Sequence, residues 1–201
     1  MDEKYRIIRK ATPTLDKKGV FAFFYNRKCA SMSIQRYALK DRVVVRKDDS
    51  CSYYKKLSEM TDDDLDRLFK FTFVRNPYER VVSAWHYLQT HGFMKKHMGA
   101  GQTFEEFVLS HNIPSIDPHF HHQHEHLFYG NVPIVDFIGK VENIREDFSF
   151  IAKRIGFDGD LGKKNTTQHD NWQMYYENPA VRQKVAETYK KDFELLNYEV
   201  V

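Results

Sequence analysis

Cysteine is nearly absent: the 201-residue chain has two, Cys29 and Cys51. A secreted scaffold stapled by disulfides carries more, so both are expected to be reduced thiols. Long apolar runs are missing as well. No stretch approaches the roughly 18 residues that a membrane span needs. The opening MDEKYRIIRKATPTLDKKG has no apolar core of signal-peptide length. Stable membrane insertion is therefore not expected, and the chain reads as soluble and cytoplasmic, a lumenal protein trimmed of an anchor being the alternative. A strong charge of one sign is also lacking, since 31 Lys and Arg stand against 28 Asp and Glu, a net charge of +3. That balance does not call for nucleic acid as a partner. No internal repeat, low-complexity linker or clear boundary divides the chain, so one domain, residues 1–201, is expected. The nucleotide-triphosphate signature G-x-x-x-x-G-K-[ST] is absent. No strand clearly ends in an Asp placed to hold magnesium, which argues against an ordinary kinase or ATPase.

What is present is globular. Hydrophobic residues make up 41% of the chain and aromatics 15%, enough for a real core. GVFAFFYN (19–26) is a continuous apolar run, as expected of a strand buried on both faces. SMSIQRYAL follows with a helical pattern in Ile34, Tyr37 and Ala38, and Ser31 fits its N-cap. DRVVVRK (41–47) reads as a strand. TDDDLDRLFK reads as a short helix capped by Thr61, with acids where the helix dipole favours them. FTFVRNPYERVVSAWHYL is a second strand–turn–helix. Its strand is Phe71–Val74, Asn76 is the cap, Pro77 fits the first helical position and Glu79 the third. TFEEFVLSH and NIREDFSFIAKRIGF read as helices, PIVDFIGKVE (133–142) as a strand, and NPAVRQKVAETYKKDFELL as one closing helix with Val181, Val185, Tyr189, Phe193 and Leu196 inward. Strands alternating with helices imply an α/β fold: a P-loop-like domain with a central, mostly parallel sheet flanked by helices.

Ligands of such sheets bind beyond the carboxyl ends of the strands, where both basic turns belong. The first, Asn26 to Ser33, has Arg27, Lys28, Ser31 and Ser33 but no glycine. The second carries Arg75. A helix start offers unpaired N–H groups and partial positive charge. Two such turns could hold two anionic groups of one ligand. The plain alternative is a pair of solvated loops.

KCASMSI after a strand, followed by FTFVRNPYERVVSAW, resembles the two cofactor signatures of sulfotransferases that use 3′-phosphoadenosine-5′-phosphosulfate. DPHFHHQ, VDFIGKVENIREDFSFIAKRIG and YYENPAVRQKVAETYKKDFELLNY resemble later blocks of the carbohydrate-type, Golgi-like sulfotransferase family and its bacterial relatives. The resemblance covers roughly residues 19–198, in order. It implies transfer of a sulfuryl group from that cosubstrate to a hydroxyl acceptor of the carbohydrate class, with no metal required. It also implies that Lys28 contacts the sulfuryl group and bridging oxygen. Backbone N–H groups of Cys29, Ala30, Ser31, Met32 and Ser33, with the two serine hydroxyls, would hold the 5′-phosphate beside Arg27. Arg75 and Ser83, eight positions apart, would bind the 3′-phosphate. Gln123 would orient cofactor or acceptor, and Lys163 and Lys164 lie in a late basic segment of the kind that closes over the nucleotide.

The acceptor hydroxyl must lose a proton, and histidine is suited to take it near neutral pH. His119 matches the histidine of the family's DPHW-like block and is the candidate base, with His121, His122 and His124 as neighbours that could serve instead. A rival reading concerns the same run. His122 and His126 have helical i, i+4 spacing, as in some zinc sites, although such runs are usually just exposed. A non-catalytic nucleotide- or anion-binding module with a metal at these histidines is therefore the alternative function. The acceptor and the oligomeric state are not written in the sequence.

Overall fold

The computed structural model describes residues 3–11, 13–43, 59–90, 101–159, 161 and 171–201. They fall into two compact units. The first comprises Met1–Val74 and Glu125–Thr166, the second Arg75–His124 and Thr167–Val201.

The first unit is built on a four-stranded sheet in the order β1 (Thr14–Leu15), β2 (Phe21–Phe24), β3 (Phe69–Val74) and β6 (Phe137–Lys140). β1 is antiparallel to β2, whereas β2, β3 and β6 run parallel. The mostly parallel α/β fold expected from the sequence is thus present. All four residues of β2 are buried. Its register sets Phe23 opposite Phe71 and Phe21 opposite Phe69. Because side chains alternate along strands, Phe21, Phe23, Phe71 and Phe73 share one face. Phe23 and Phe71 pack with ring centroids 5.2 Å apart. Ile34, Phe148 and Ile151 join that core, the last two from helix α6 (Ile144–Arg154). Gly139 lies opposite Phe73, and a Cβ there would meet the Phe73 ring at 2.6 Å. The ring therefore requires glycine at that point of β6.

On the other face Lys70 is buried among carbonyls. Its ammonium donates to Leu65 O (3.1 Å) and Leu68 O (2.8 Å) and pairs with Asp136 at 3.2 Å. It neutralises the C-terminal end of α3 (Asp62–Arg67), where a cation is favourable. Helix α3 starts as expected at Thr61, whose hydroxyl accepts from Asp64 N while Asp64 accepts from Thr61 N, a reciprocal capping box. Asp16, fully buried, holds the β1–β2 turn by accepting from Val20 N (2.9 Å) and from Arg42 (3.1 Å).

Four expectations are corrected or extended. A helix, α1 (Glu3–Ala11), precedes the sheet, and strand β1 follows it. The run 133–142 is not one strand. Val132–Pro133 (β5) pairs in a hairpin with β4 (Phe128–Tyr129), and the chain then crosses into the main sheet as β6. Asp136 makes the crossing by exchanging backbone and carboxylate hydrogen bonds with Lys70. Within 41–47, Asp41 and Arg42 lie in a turn and Val43 makes an isolated bridge to Asp16, while residues 44–47 of the expected strand lie outside the described residues. The helix after β2 begins as α2 (Ser31–Ser33) and widens into a π-turn, Ile34–Ala38, closed by Leu39 N to Ile34 O at 2.8 Å.

The second unit is helical: α4 (Pro77–Thr90), α5 (Phe104–Ser110), α7 (Pro179–Thr188) and α8 (Lys190–Leu195). Its core is aromatic. Tyr78 contacts Tyr176 edge-on at 4.8 Å and Phe193 at 4.9 Å. Val181, Val185, Tyr189, Phe193 and Leu196 all face inward, but on two helices rather than one. The break falls at Tyr189 (φ −106°, ψ 20°), whose hydroxyl donates to Phe120 O at 2.7 Å. That tertiary tie leaves no trace in the periodicity. Among the described residues no helix is long and apolar enough to cross a membrane.

Candidate active site

In the first unit, the chain leaving β2 folds back on itself. Asn26 is buried and its side-chain amide donates to Phe73 O of the neighbouring strand at 3.2 Å. Five residues later, Ser31 Oγ donates to Asn26 O at 2.6 Å and accepts from Asn26 N at 3.2 Å. One hydroxyl thus closes residues 26–31 into a ring. Inside the ring, Cys29 is fully buried in the core, with its thiol directed to Arg27 O at 3.4 Å. Lys28 and Ala30 are both left-handed, with φ of 65° and 56°. Non-glycine residues adopt that region at a cost of about 1–2 kcal/mol each. Backbone reversals of this kind turn successive N–H groups toward a common point and make anion-binding concavities.

The expected N-cap changes with this geometry. Ala30 occupies the cap position without a side-chain hydrogen bond, because Ser31 spends its hydroxyl on Asn26. Ser33 is buried, Lys28 half-buried, and Arg27 and Met32 are exposed. Cys29 can offer a ligand only its backbone.

In the second unit, α4 is capped as expected: Asn76 Oδ1 accepts from Tyr78 N at 3.0 Å, ahead of Pro77. Arg75 stands just before the cap and is only 6% exposed. Its guanidinium forms a short ion pair with Glu79. Glu79 and Ser83 are one helical turn apart on the same face, and Ser83 is buried. The eight-residue spacing therefore has a physical basis: Arg75 lies over the first turn and Ser83 extends the same line. Glu79 is new in this line, having been read only as a helix-start acid.

Gln123 uses both ends of its side chain on the Arg75 backbone. Arg75 N donates to Gln123 Oε1 at 3.1 Å, and Gln123 Nε2 donates to Arg75 O at 2.8 Å. Behind it, the fully buried Asp192 accepts from Gln123 N (2.9 Å), His124 N (2.9 Å) and His124 Nδ1 (2.6 Å). Burial alone would push the Asp192 carboxyl up. The His124 side chain, the two backbone N–H groups and the Arg80 charge outweigh it and hold the carboxyl below its ordinary value. Arg80, also buried, donates to His121 O at 2.8 Å.

His119 sits in a 3-10 turn, Pro118–Phe120, started by Asp117. Asp117 Oδ1 meets His119 N at 2.8 Å and His119 Nδ1 at 2.5 Å. The Tyr87 ring packs over the imidazole, centroids 4.7 Å apart. The histidine run is not α-helical around His122 and His126, since His124–His126 is a 3-10 turn. The ligand-bearing atoms that do gather are those of His122, His124 and Asp192, all within 4.8 Å of one another. That set could take a divalent cation, but its carboxylate already receives the three N–H groups just named.

Arg75, Ser83, His119 and Gln123 therefore fall in the second unit and the Arg27–Ser33 loop in the first, while Lys163, Lys164 and Cys51 lie outside the described residues. Glu79, Asp117 and Asp192 were not anticipated. Asp117 stands two residues before His119, a spacing at which an Asp can orient a histidine. Nothing in the sequence points from Asp192 to Gln123.

A protein of undefined function from Archaeoglobus fulgidus is 33% identical over 109 residues, 54% of this chain and 85% of that protein. Carbohydrate sulfotransferase 11 of Rattus norvegicus and of Mus musculus are each 28% identical over 176 residues, 68% of this chain. The chain matches 48% of their length, so it spans about half of those two proteins. No solved structure matches the chain. The model of the sulfotransferase family matches residues 13–199, which reaches into both units and includes every site residue named above, and the chain belongs to that family.

Proposed function

We propose that the protein transfers the sulfuryl group of 3′-phosphoadenosine-5′-phosphosulfate to a hydroxyl of a carbohydrate. The observation that carries this reading is the ring at residues 26–31. In a sulfotransferase-family chain, a lysine and an alanine held left-handed at the end of a buried strand mark a backbone kept under strain, and such strain concentrates at functional sites. The cosubstrate supplies an already activated sulfuryl group. Backbone N–H groups of residues 29–33 hold its 5′ end, and Lys28 neutralises charge growing on the departing phosphate oxygen. Arg75 and Ser83 hold the 3′-phosphate through charge-assisted hydrogen bonds, with Glu79 yielding part of the guanidinium. His119 takes the acceptor proton. Most of the acceleration comes from positioning and charge stabilisation, as in phosphoryl transfer, and no step in this reading calls on a metal.

The test is calorimetric binding of 3′-phosphoadenosine-5′-phosphate, followed by transfer from labelled donor to a panel of sugars. Binding in the micromolar range, weakened in Arg75→Ala and accompanied by loss of transfer in Lys28→Ala, supports the reading. Binding unchanged in both variants sinks it.

The His122, His124 and Asp192 cluster favours a second reading, a nucleotide-binding module steadied by a metal ion. It expects stoichiometric zinc uptake that disappears in His122→Ala, together with no sulfuryl transfer to any acceptor. Turnover with zinc chelated rules it out.

A further inference from the structure

We propose that Asp117 is a positioning residue that fixes the His119 imidazole with its proton on Nδ1, so that Nε2 is the basic nitrogen. This rests on the sulfuryl-transfer reading above and adds a residue to it. An ionised carboxylate has no proton to give and can only accept. The 2.5 Å approach of His119 Nδ1 to Asp117 Oδ1 therefore puts the hydrogen on Nδ1 and the lone pair on Nε2. The same oxygen accepts His119 N at 2.8 Å, which locks main chain and ring to one point. Tyr87 limits ring rotation from the side, at 4.7 Å between centroids. Both partners are mostly shielded, with side chains 16% and 15% exposed, which strengthens the hydrogen bond relative to one in water. His121 and His122 differ from His119 in this respect, whereas the His124 ring is held in the same way, on the carboxylate that also accepts Gln123 N. His124 is turned to the buried Asp192, His122 packs against Tyr189, and the His121 carbonyl serves Arg80.

In the step this serves, the acceptor oxygen forms a bond to sulfur while the bond from sulfur to the bridging phosphate oxygen breaks. The bridging electron pair stays on the phosphate beside Lys28. The acceptor proton moves to His119 Nε2, and the imidazolium that forms is stabilised by the Asp117 carboxylate.

Asp117 also starts the 3-10 turn, so loss of activity alone would not separate orientation from folding. Asp117→Ser keeps a side-chain acceptor for His119 N but cannot reach the ring. Long-range nitrogen–proton NMR on the nucleotide-free protein, with His119→Gln to assign the signals, reads the tautomer directly. The wild type should show His119 protonated on Nδ1. Asp117→Ser should show a mixture, a kcat at least about tenfold lower and unchanged affinity for 3′-phosphoadenosine-5′-phosphate. A wild-type His119 protonated on Nε2, or an Asp117→Ser variant with full kcat, overturns the inference and leaves the sulfuryl-transfer reading standing. A wild-type protein that binds no nucleotide and transfers to no acceptor overturns that reading, and the inference with it.

Discussion

The two candidate anion sites are built in opposite ways. The loop after β2 is held by one hydroxyl, Ser31 on Asn26, and by two left-handed residues that are not glycine. Its shape is kept against local preference. The Arg75 site has no left-handed residue. Its backbone is gripped by a buried amide, Gln123, which is itself gripped by a buried carboxylate, Asp192. The first site stores strain in the main chain, whereas the second relies on a chain of satisfied side-chain hydrogen bonds. The first should therefore tolerate changes that relax the backbone, and the second should fail whenever a buried partner is left unpaired.

The largest expected effect tests the first site's chemistry. Lys28→Ala leaves the core and the Ser31 tie untouched, so it should fold normally and lose about 10²- to 10³-fold in single-turnover transfer. A loss smaller than tenfold would remove Lys28 from the reaction. Next, Arg75→Ala should weaken nucleotide binding by about 10- to 100-fold, the worth of a hydrogen bond to a charged group, as read by calorimetry. Arg75→Lys should recover only part of it, because the planar fork is lost.

Gln123→Ala tests the grip itself. It leaves the Arg75 main chain without two partners and should cost about 1–3 kcal/mol in urea unfolding, with a weaker nucleotide affinity as a secondary effect. Acid probes the same chain. The Asp192 carboxyl is held below its ordinary value in the folded state, so its contribution is present above the ordinary carboxylate range and is lost as pH falls through the depressed folded value. Asp192→Asn should be less stable at neutral pH and show a shallower loss of stability on acidification. The smallest effect runs the other way: Ala30→Gly should raise stability by about 0.5–1 kcal/mol, since glycine relieves the left-handed strain. A destabilised Ala30→Gly variant would mean that the loop is not strained.

Local features were legible where they depend on neighbours in sequence. The Thr61 cap, the Asn76–Pro77 start, the buried run of β2 and the inward stripe from Val181 to Leu196 all follow from side-chain chemistry over a few residues. The break at Tyr189 was not legible, because it depends on Phe120, far away in the chain. Neither was the division of 133–142, where Pro133 and Phe137 answer to different partner strands. Ser31 shows the same limit: its type suits a cap, but the fold presents it with the Asn26 carbonyl instead.

The sequence by itself determined the α/β alternation, the order of the motifs and the residue types at Lys28, Arg75, Ser83 and His119, because composition and spacing are properties of the chain alone. Only the tertiary structure decided that Lys28 and Ala30 are left-handed, that Gln123 serves the Arg75 backbone, that Glu79 shares its guanidinium, and that Asp117 and Asp192 each address a histidine. Buried polar groups must find partners. Which partners are at hand is settled by packing, and packing joins residues that sequence keeps apart.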